Sequence, residues 1–325
     1  MTAIVTITFN PALDVNTSVQ DMMPEKKLKC SDPVHEPGGG GINVARAIKK
    51  LGGEALAVYL SGGDAGKKIT ALLSAESVSS LVIPIKGVTR QNLIILDRSS
   101  NGQYLFDMPG PLVSEAEWRG CLNAVDQISG IDYLVVSGSL PNGVRPDIFF
   151  ELADIARRKH AKLVVDTAGE ALQLAVRAGA YLVKPNLKEL GLLAGERNIT
   201  GENVADAARK VLQGSACQVI VVSMGSKGAL LVTKDECVKV VPPAVTPLST
   251  VGAGDSLVGG LVLALSKNMT LADAVKFGVA CGTSATISPG AELCRKVDAD
   301  RLYNMIKDKP VTSISLNGAP HQLDL

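Results

Sequence analysis

The chain has 325 residues, of which 46% are hydrophobic, and this is enough for one large or two smaller domains with a buried core. Its 33 basic and 32 acidic residues leave a net charge of +1, so no overall charge attracts nucleic acid or an anionic membrane. The six cysteines form no C-x-x-C pair, no apolar run reaches about 18 residues, and residues 4–9 read as a strand rather than a signal peptide. We expect a cytoplasmic protein with no zinc site, disulfide framework, nucleic-acid partner or membrane partner.

Two early segments have an extended pattern without a helix between their strands. They predict a small antiparallel sheet built from residues of about 14–36 and 88–108, standing off the main domain. A sheet of this size is marginally stable alone, so we expect it to pack against a second copy of the chain. The predicted strands are 15–19, 27–34, 92–97 and 103–108.

Residues 35–48 (HEPGGGGINVARAI) combine four glycines with the start of a predicted helix. Val44, Ile48 and Leu51 fall on one face of that helix, and Gly52 ends it. Asn43 falls in the first turn, where its amide can both donate and accept hydrogen bonds. This favours a polyol ligand over the alternative, a flexible glycine linker.

From residue 130 onward, short apolar strands alternate with helices. This order indicates βαβ units and a mainly parallel sheet covered by helices on both faces. The tail from 310 to 325 has no helical period, and we assign it no role. The predicted strands are 133–137, 163–166, 181–184 and 219–222, and the predicted helices are 146–159, 170–178, 202–213, 256–266, 271–287 and 298–307.

Residues 249–260 (STVGAGDSLVGG) place three small residues and a carboxylate before an apolar helix. The backbone amides of Gly252, Ala253 and Gly254, with the helix dipole, can bind an anion. A carboxylate would be repelled by a phosphate there unless it removes a proton from the hydroxyl that attacks the phosphate. The pattern therefore favours phosphoryl transfer with Asp255 as base. The alternative is an Asp N-cap after a glycine turn.

Two further pairs of residues suggest binding sites. Lys27 and Lys29 lie on one face of a predicted strand, about 7 Å apart, and can hold one phosphate; lysines that protect a sheet edge are the alternative. Asn186 and Glu189, three residues apart at a strand end, can hold the water shell of Mg²⁺. Their spacing also fits a helix N-cap with a first-turn glutamate.

Taken with the runs 6–14, 27–30, 89–93, 136–141, 183–189 and 222–225, the two glycine-rich motifs resemble the PfkB/ribokinase family of sugar kinases. The similarity extends to about residue 308. It implies one kinase domain over 1–325 with a ribokinase-like α/β fold, in which the small antiparallel sheet is a lid and two lids form a homodimer. It also implies ATP and a sugar phosphate as ligands, with Mg²⁺ as cofactor and K⁺ as an additional cation near Ser249, Val251 and Ala285.

The resemblance assigns roles to individual residues. Gly252, Ala253, Gly254 and Asp255 are catalytic. The sugar phosphate is bound by Asp14, Lys27, Lys29, Gly39, Gly40, Asn43, Arg90 and Ser139. ATP is bound by Lys184, Asn186, Ser223, Gly225, Ser226 and Gly228, and Mg²⁺ is held through water by Asn186 and Glu189.

Two positions bear on the substrate. Related kinases for fructose 1-phosphate and tagatose 6-phosphate carry Lys where this chain has Gly40, so the resemblance favours phosphorylation of fructose 6-phosphate to fructose 1,6-bisphosphate. Lys29 stands where close relatives carry Arg, and a lysine cannot make the bidentate contact of a guanidinium. Tagatose-6-phosphate kinase, 1-phosphofructokinase and a non-catalytic sugar-phosphate or nucleotide sensor remain alternatives.

Overall fold

Two β-sheets and their flanking helices make up the computed structural model, which describes residues 4–288, 290, 292–309 and 312–313. The strands are β1 (Ile4–Thr8), β2 (Ala12–Val19), β3 (Val34–Gly38), β4 (Leu56–Ser61), β5 (Ser79–Pro84), β6 (Arg90–Asp97), β7 (Gly102–Phe106), β8 (Tyr133–Ser137), β9 (Lys162–Asp166), β10 (Leu182–Val183), β11 (Val219–Ser223), β12 (Ala229–Val232), β13 (Cys237–Val240) and β14 (Thr312–Ser313). The helices are α1 (Gly40–Lys50), α2 (Gly63–Ala75), α3 (Glu115–Gln127), α4 (Ile148–Arg158), α5 (Gly169–Ala178), α6 (Leu187–Ala194), α7 (Val204–Gln213), α8 (Ala253–Ser266), α9 (Leu271–Thr286) and α10 (Lys296–Asn304).

The large sheet has the strand order β14-β13-β12-β11-β10-β9-β8-β1-β4-β5. All neighbours from β11 to β5 are parallel, whereas β11 to β14 pair antiparallel. The predicted α/β class with a mainly parallel central sheet is therefore confirmed. Because these strands are parallel, their carboxyl ends meet at one edge, where ligands bind in such sheets.

Helices cover both faces of the large sheet and create two apolar layers. Alternate residues of β1 face opposite layers, with Val5 in one and Ile4 in the other. The first layer contains α3, α4, α5 and α7, represented by Trp118, Phe149, Leu172 and Ala208. The second contains α1, α2, α8, α9 and α10, represented by Ile48, Ile69, Leu261, Val279 and Leu302.

The small sheet has the order β3-β2-β6-β7. Its outer pairs are antiparallel, as predicted, but the central pair β2–β6 is parallel, so the sheet is mixed. The reason is connectivity: β2 follows β1 and β6 follows β5, and these two strands of the large sheet run in the same direction. Each strand then returns through its own antiparallel partner.

The predicted strand over residues 27–34 is wrong. Regular pairing begins only at Val34, and Lys27 and Lys29 are exposed in an irregular segment. Pro33 has no N–H for a ladder, and before it the segment is tied to β2 through Ser31, whose N–H donates to Ser18 O at 2.9 Å. The two lysines therefore share no strand face.

Other predicted boundaries agree more closely. The predicted helices begin and end within about three residues of the observed ones, with α8 starting at Ala253 instead of residue 256. Apart from Thr312–Ser313, which form β14, the predicted tail 310–325 lies outside the described residues. None of the helices in the described ranges is long and apolar enough to cross a bilayer.

Candidate active site at the carboxyl ends of the parallel strands

The N-terminus of α8 lies at this edge of the sheet. Gly252 precedes the helix in a left-handed conformation (φ 74°), which glycine adopts without strain. The first hydrogen bond of the helix runs from Ser256 N to Gly252 O at 2.9 Å, so the helix uses none of the earlier amides, although Ala253 N donates to Thr250 O at 3.4 Å. Asp255 therefore lies inside the first turn of α8, whereas the sequence placed it just before the helix; that this helix end binds an anion stays a prediction.

Asp255 is joined to α1 by a direct hydrogen bond. The Nδ2 of Asn43 donates to Asp255 Oδ2 at 3.0 Å, across 212 residues of sequence. Burial raises the pKa of Asp255 to about 7, and the nearby Asp166 carboxylate adds to the rise, although Asn43 and Lys184 oppose it. A carboxyl group with this pKa is suited to act as a general base near neutral pH.

Lys184 carries a buried ammonium next to the same helix end. Its Nζ lies 3.0 Å from Asp166 Oδ1 and 3.7 Å from where a Cβ on Gly254 would stand. Burial lowers the pKa of Lys184, but Asp166, Glu189 and Asp255 outweigh it, and the pKa stays above its ordinary value. Lys184 is therefore a fixed positive charge between the base and the predicted nucleotide site.

Asp14 lies within β2 rather than at a strand end, opposite Glu36 on β3 and Asn92 on β6. Asn92 Nδ2 donates to Asp14 Oδ1 at 3.0 Å. Burial raises the pKa of Asp14 to about 6, Asn92 opposes this rise, and Glu36 adds to it. The charge of Asp14 also contributes to the raised pKa of Asp255, so the two carboxyl groups belong to one cleft.

The glycines at the start of α1 are closely packed, and this excludes a flexible linker. A Cβ on Gly39 would lie 2.8 Å from Thr8 Cγ2, and Gly39 has φ 109°. A Cβ on Gly40 would overlap Ser137 Oγ at the end of β8. Gly40 and its neighbours therefore bring the start of α1 against the ends of β1 and β8.

Arg90 is the first residue of β6, whereas the sequence placed it before that strand. Its guanidinium contacts Asp107 and donates to Met108 O at 2.9 Å and Asn10 O at 3.2 Å, while its buried Nε has no partner among the described residues. Ser139 accepts a 3.0 Å hydrogen bond from Asn10 Nδ2. Arg90 and Ser139 therefore border the same loop, whereas the described contacts bring neither Lys27 nor Lys29 to it.

Asn186 and Glu189 form a reciprocal capping box at the start of α6. Glu189 N donates to Asn186 Oδ1 at 2.9 Å, and Asn186 N donates to Glu189 Oε2 at 2.8 Å. The helix N-cap that the sequence offered as the alternative is therefore present. The two capping bonds do not involve Glu189 Oε1 or Asn186 Nδ2. Glu189 also lies near enough to help raise the pKa of Lys184.

The predicted nucleotide loop follows β11. Ser223 ends that strand and its N–H donates to Pro185 O at 2.9 Å, which joins it to the segment containing Asn186. Gly225, Ser226 and Lys227 then form one 3₁₀ turn, and Gly228 has φ 90°. The structure therefore brings Lys184, Asn186, Ser223, Gly225, Ser226 and Gly228 to the ends of neighbouring strands.

The loop before α8 rests on the end of α9 and on the small sheet. Leu248 N and Ser249 N both donate to Thr286 O, at 2.7 and 3.2 Å, next to Ala285. Ser249 Oγ donates to Gln103 Oε1 at 2.9 Å and accepts from Val251 N at 3.2 Å. The three residues expected near a monovalent cation are therefore neighbours, and Gln103 joins their loop to β7.

Sequence reasoning missed three residues that the structure places here. Asp166 ends β9 beside Lys184, Asn92 holds Asp14, and Asn10 follows β1 and contacts Ser139. The signal available for Asp166 was its position at the end of a predicted buried strand, where parallel-sheet ligand sites form. The contacts of Asn10 and Asn92 depend on pairings that no local pattern shows.

An α/β sheet with an acidic cleft and a helix N-terminus at the same edge fits the architecture of a carbohydrate kinase. The chain belongs to the pfkB family of carbohydrate kinases, whose model matches residues 7–297, and it is accordingly a phosphotransferase. The ATP-dependent 6-phosphofructokinase isozyme 2 of Escherichia coli is 43% identical over 93% of this chain and 98% of its own length.

The comparison of structures agrees with the family assignment. The crystal structure of phosphofructokinase-2 from Escherichia coli in complex with potassium superposes with a TM-score of 0.91, at 43% identity, over 94% of this chain and 100% of that one. A ribokinase from Arabidopsis thaliana, 18% identical, superposes with a TM-score of 0.76 over 93% of this chain and 99% of its own and shares the fold. The predicted ribokinase-like fold is confirmed.

Proposed function

We propose that the protein transfers the γ-phosphoryl group of MgATP to fructose 6-phosphate and forms fructose 1,6-bisphosphate. The observation that carries this proposal is Asp255, a carboxyl group with a pKa of about 7 in the first turn of a helix, where backbone amides can bind an anion. The relative from Escherichia coli is named an ATP-dependent 6-phosphofructokinase, and its structure has been solved with substrates and products. A sensor that only binds ligands has no use for a base at this position.

In the proposed reaction, Asp255 removes the proton from the attacking sugar hydroxyl. Asn43 holds the carboxylate in place through its 3.0 Å hydrogen bond. The amides of Gly252, Ala253 and Gly254 and the ammonium of Lys184 stabilise the negative charge that spreads over the transferring phosphoryl group. The oxygen–phosphorus bond to the sugar forms as the bond to ADP breaks, and ADP leaves.

The sugar phosphate occupies the cleft between the small sheet and α1. Asp14, Gly39, Gly40, Asn43 and Ser139 hold the sugar hydroxyls, with Asp14 able to accept two hydrogen bonds when ionised. Arg90 holds the phosphate already on the sugar, and Lys27 and Lys29 approach it from their exposed segment. The buried Nε of Arg90 supports this role, because it has a donor to offer and no partner in the described chain.

The nucleotide lies at Lys184, Asn186, Ser223, Gly225, Ser226 and Gly228. No group of three or more His, Cys, Asp or Glu side chains able to hold a metal occurs among the described residues. This fits Mg²⁺, which keeps most of its waters and takes few protein ligands. Glu189 Oε1, which the capping box does not use, and the second lone pair of Asn186 Oδ1 would accept hydrogen bonds from those waters. When bound, Mg²⁺ neutralises charge on the phosphates, and K⁺ near Ser249, Val251 and Ala285 would be a second cation.

The protein forms a homodimer through the small sheet, which acts as a lid on the single kinase domain. The support is a set of exposed apolar side chains on two of its strands, namely Val34, Tyr104, Leu105 and Phe106. The Escherichia coli relative has been solved as a tetrameric inhibited form, so a dimer of dimers is the other arrangement to test. We place the reaction in the cytoplasm, in keeping with six free cysteines.

A coupled assay of ADP release tests the substrate. We expect the highest kcat/KM with fructose 6-phosphate, against tagatose 6-phosphate, fructose 1-phosphate and unphosphorylated fructose. The 1-phosphofructokinase of Bacillus subtilis is 31% identical over 88% of this chain, so a preference for fructose 1-phosphate is the nearest alternative outcome. If fructose 1-phosphate or tagatose 6-phosphate is preferred, that sugar phosphate is the substrate and our assignment of fructose 6-phosphate is wrong. If none of the sugars is turned over, a non-catalytic sensor is favoured.

A further inference from the structure

Arg46 on α1 is a buried cation that belongs to none of the ligand roles above. Its side chain is 5% exposed. Glu76, at the end of α2, accepts two hydrogen bonds from it, at 2.8 Å from Nε and 2.7 Å from Nη2. The guanidinium is thus fixed on one side by a bidentate pair, and its remaining donor, Nη1, is turned to other groups.

That donor reaches the residue that holds the proposed base. Arg46 Nη1 donates to Asn43 Oδ1 at 3.4 Å, and Asn43 Nδ2 donates to Asp255 Oδ2 at 3.0 Å. An amide has an acceptor end and a donor end, whereas a guanidinium has only donors. Arg46 can therefore donate a hydrogen bond to the Asn43 side chain in only one of the two orientations of that amide. In this orientation the oxygen faces Arg46 and the NH₂ group faces Asp255.

The same donor also holds the strand that enters the cleft. Arg46 Nη1 donates to Pro37 O at 2.9 Å, and Nη2 lies 3.5 Å from Glu36 Oε1, both on β3. Arg46 therefore contacts the small sheet, α2 and the Asn43–Asp255 pair at once. A side chain that served only for packing or for an ion pair would not need its guanidinium group aligned with the Asn43 amide.

We propose that Arg46 is a positioning residue for phosphoryl transfer, which fixes the Asn43 amide so that its NH₂ group donates to the Asp255 carboxylate. The proposal rests on the proposed function for its kinetic consequences, but not for its effect on the free enzyme. Without Arg46, the Asn43 amide can rotate and present its oxygen to Asp255. The ionised carboxylate then loses a donor and faces a partial negative charge, so protonation becomes easier.

The test is a titration of the Asp255 carboxyl by carbon-13 NMR together with the pH dependence of kcat/KM. In Arg46→Lys the charge opposite Glu36 and Glu76 is kept, but the planar fork is lost. We expect the pKa of Asp255 and the acidic limb of kcat/KM to rise by about one pH unit, the size expected for one charge-assisted hydrogen bond. The KM for ATP should change by less than about twofold.

The variant Asn43→Ala removes the same contact directly and should raise the pKa of Asp255 by a similar amount. Because Arg46 acts through Asn43, the double variant Arg46→Lys/Asn43→Ala should show the shift of Asn43→Ala alone. Shifts that add, or an unchanged pKa in Arg46→Lys, would overturn the proposal. If Arg46→Lys does not fold, Glu76→Gln, which loosens the guanidinium, should move the pKa in the same direction, and no movement there would overturn it too.

Lys276→Arg is the matched control, because like Arg46→Lys it exchanges the head group of a buried cation and keeps its charge. Lys276 donates to Lys307 O at 2.7 Å and has no described bond to the site, so this exchange should lower thermal stability without moving the pKa of Asp255. An equal shift in this control would show that the effect is structural and would overturn the proposal. The NMR titration needs no sugar, so a wild-type enzyme inactive on every sugar phosphate would count against the proposed function alone.

Discussion

Asp14 fills the space that a side chain at Gly38 would occupy. A Cβ built on Gly38 would overlap the carboxylate of Asp14, whose Cγ and Oδ1 would lie 2.5 and 2.8 Å away. The two residues stand where β2 begins and β3 ends, which is where the small sheet joins the glycine-rich turn. The absence of a side chain at residue 38 is therefore what leaves room for the half-buried carboxylate of Asp14, which we propose to bind the sugar.

Gly38→Ala tests this relationship. The added methyl group must displace the Asp14 side chain, so we expect the KM for fructose 6-phosphate to rise by about tenfold, the value of one charged hydrogen bond. The KM for ATP should change little. Gly120→Ala on α3 is the control, since nothing lies within 4 Å of its Cβ position. Equal sugar KM values in the two variants would show that Asp14 does not bind the sugar.

Asp255→Asn tests the base. We expect kcat to fall by about 10²–10⁴ while the variant still binds both substrates, because an amide cannot take the hydroxyl proton. Steady-state kinetics and ligand binding by calorimetry would measure the two effects. The same variant reports on stability, because the pKa of Asp255 is about 7 in the folded protein against an ordinary 3.8.

The sign of that stability effect follows from proton binding. Between pH of about 4 and 7 the folded protein holds a proton on Asp255 that the unfolded chain has lost, so the contribution of this group to stability falls as pH rises through that range. Asp255→Asn does not titrate. Its melting temperature relative to wild type should therefore be higher at pH 8 than at pH 4, and a difference independent of pH would contradict the raised pKa.

Glu189→Gln separates helix capping from metal binding. Glutamine can still accept the hydrogen bond from Asn186 N and complete the capping box, so thermal stability should stay near that of wild type. The lost negative charge should raise the Mg²⁺ concentration needed for half-maximal activity. Glu189→Ala should lower both stability and Mg²⁺ response. If Glu189→Gln needs no more Mg²⁺ than wild type, Glu189 serves α6 alone.

Arg90 and Lys27 differ in how firmly the protein holds them. Arg90 is half-buried and fixed by Met108 O and Asn10 O, whereas Lys27 is exposed in an irregular segment. We expect Arg90→Ala to raise the KM for fructose 6-phosphate by about 10–100-fold and Lys27→Ala to raise it less, with little change in the KM for ATP. A larger effect at Lys27 would mean that its segment closes over the bound sugar. If neither variant changes the KM for fructose 6-phosphate, the phosphate of the sugar does not bind in this region.

Leu105→Glu tests the dimer. Leu105 is 56% exposed on β7, and a charge there should weaken an apolar contact between two small sheets. Sedimentation velocity should show a dimer for wild type and a shift towards monomer for the variant. Leu192 on α6 is 58% exposed, so Leu192→Glu is the matched control and should sediment as the wild type does. A monomeric wild type would contradict the dimer directly.

The position of a side chain was predictable where the local sequence encodes it. The Gly252–Asp255 motif placed a carboxylate at a helix start and the structure has it there, while its roles as anion site and base stay predictions. The sequence predicted the start of α8 three residues too late, because small residues are compatible both with a loop and with the first turn of a helix. The sequence allowed two roles for Asn186 and Glu189, a helix cap and a site for the water shell of Mg²⁺. The capping box is present in the structure, and it does not exclude the role in Mg²⁺ binding.

Features that depend on distant pairings were not predictable. Asn43 contacts Asp255 across 212 residues, and Asp14 obtains its environment from Glu36 and Asn92 on two other strands. The parallel pairing of β2 with β6 follows from the large sheet and not from either strand alone. Lysines at residues 27 and 29 alternate as a strand would, but Pro33 and the contacts of Ser31 decide the local structure instead.

The hydrogen bond between Gln103 and Ser249 makes the small sheet and the loop that leads into α8 thermodynamically linked. Any ligand or neighbouring subunit that changes how firmly β7 is held also changes the free energy of that loop. If the proposed dimer forms through the small sheet, then by reciprocity an ion or nucleotide that orders the loop changes the affinity between the subunits by the same factor. Association of that dimer is therefore expected to depend on ligand concentration, and ligand affinity on protein concentration.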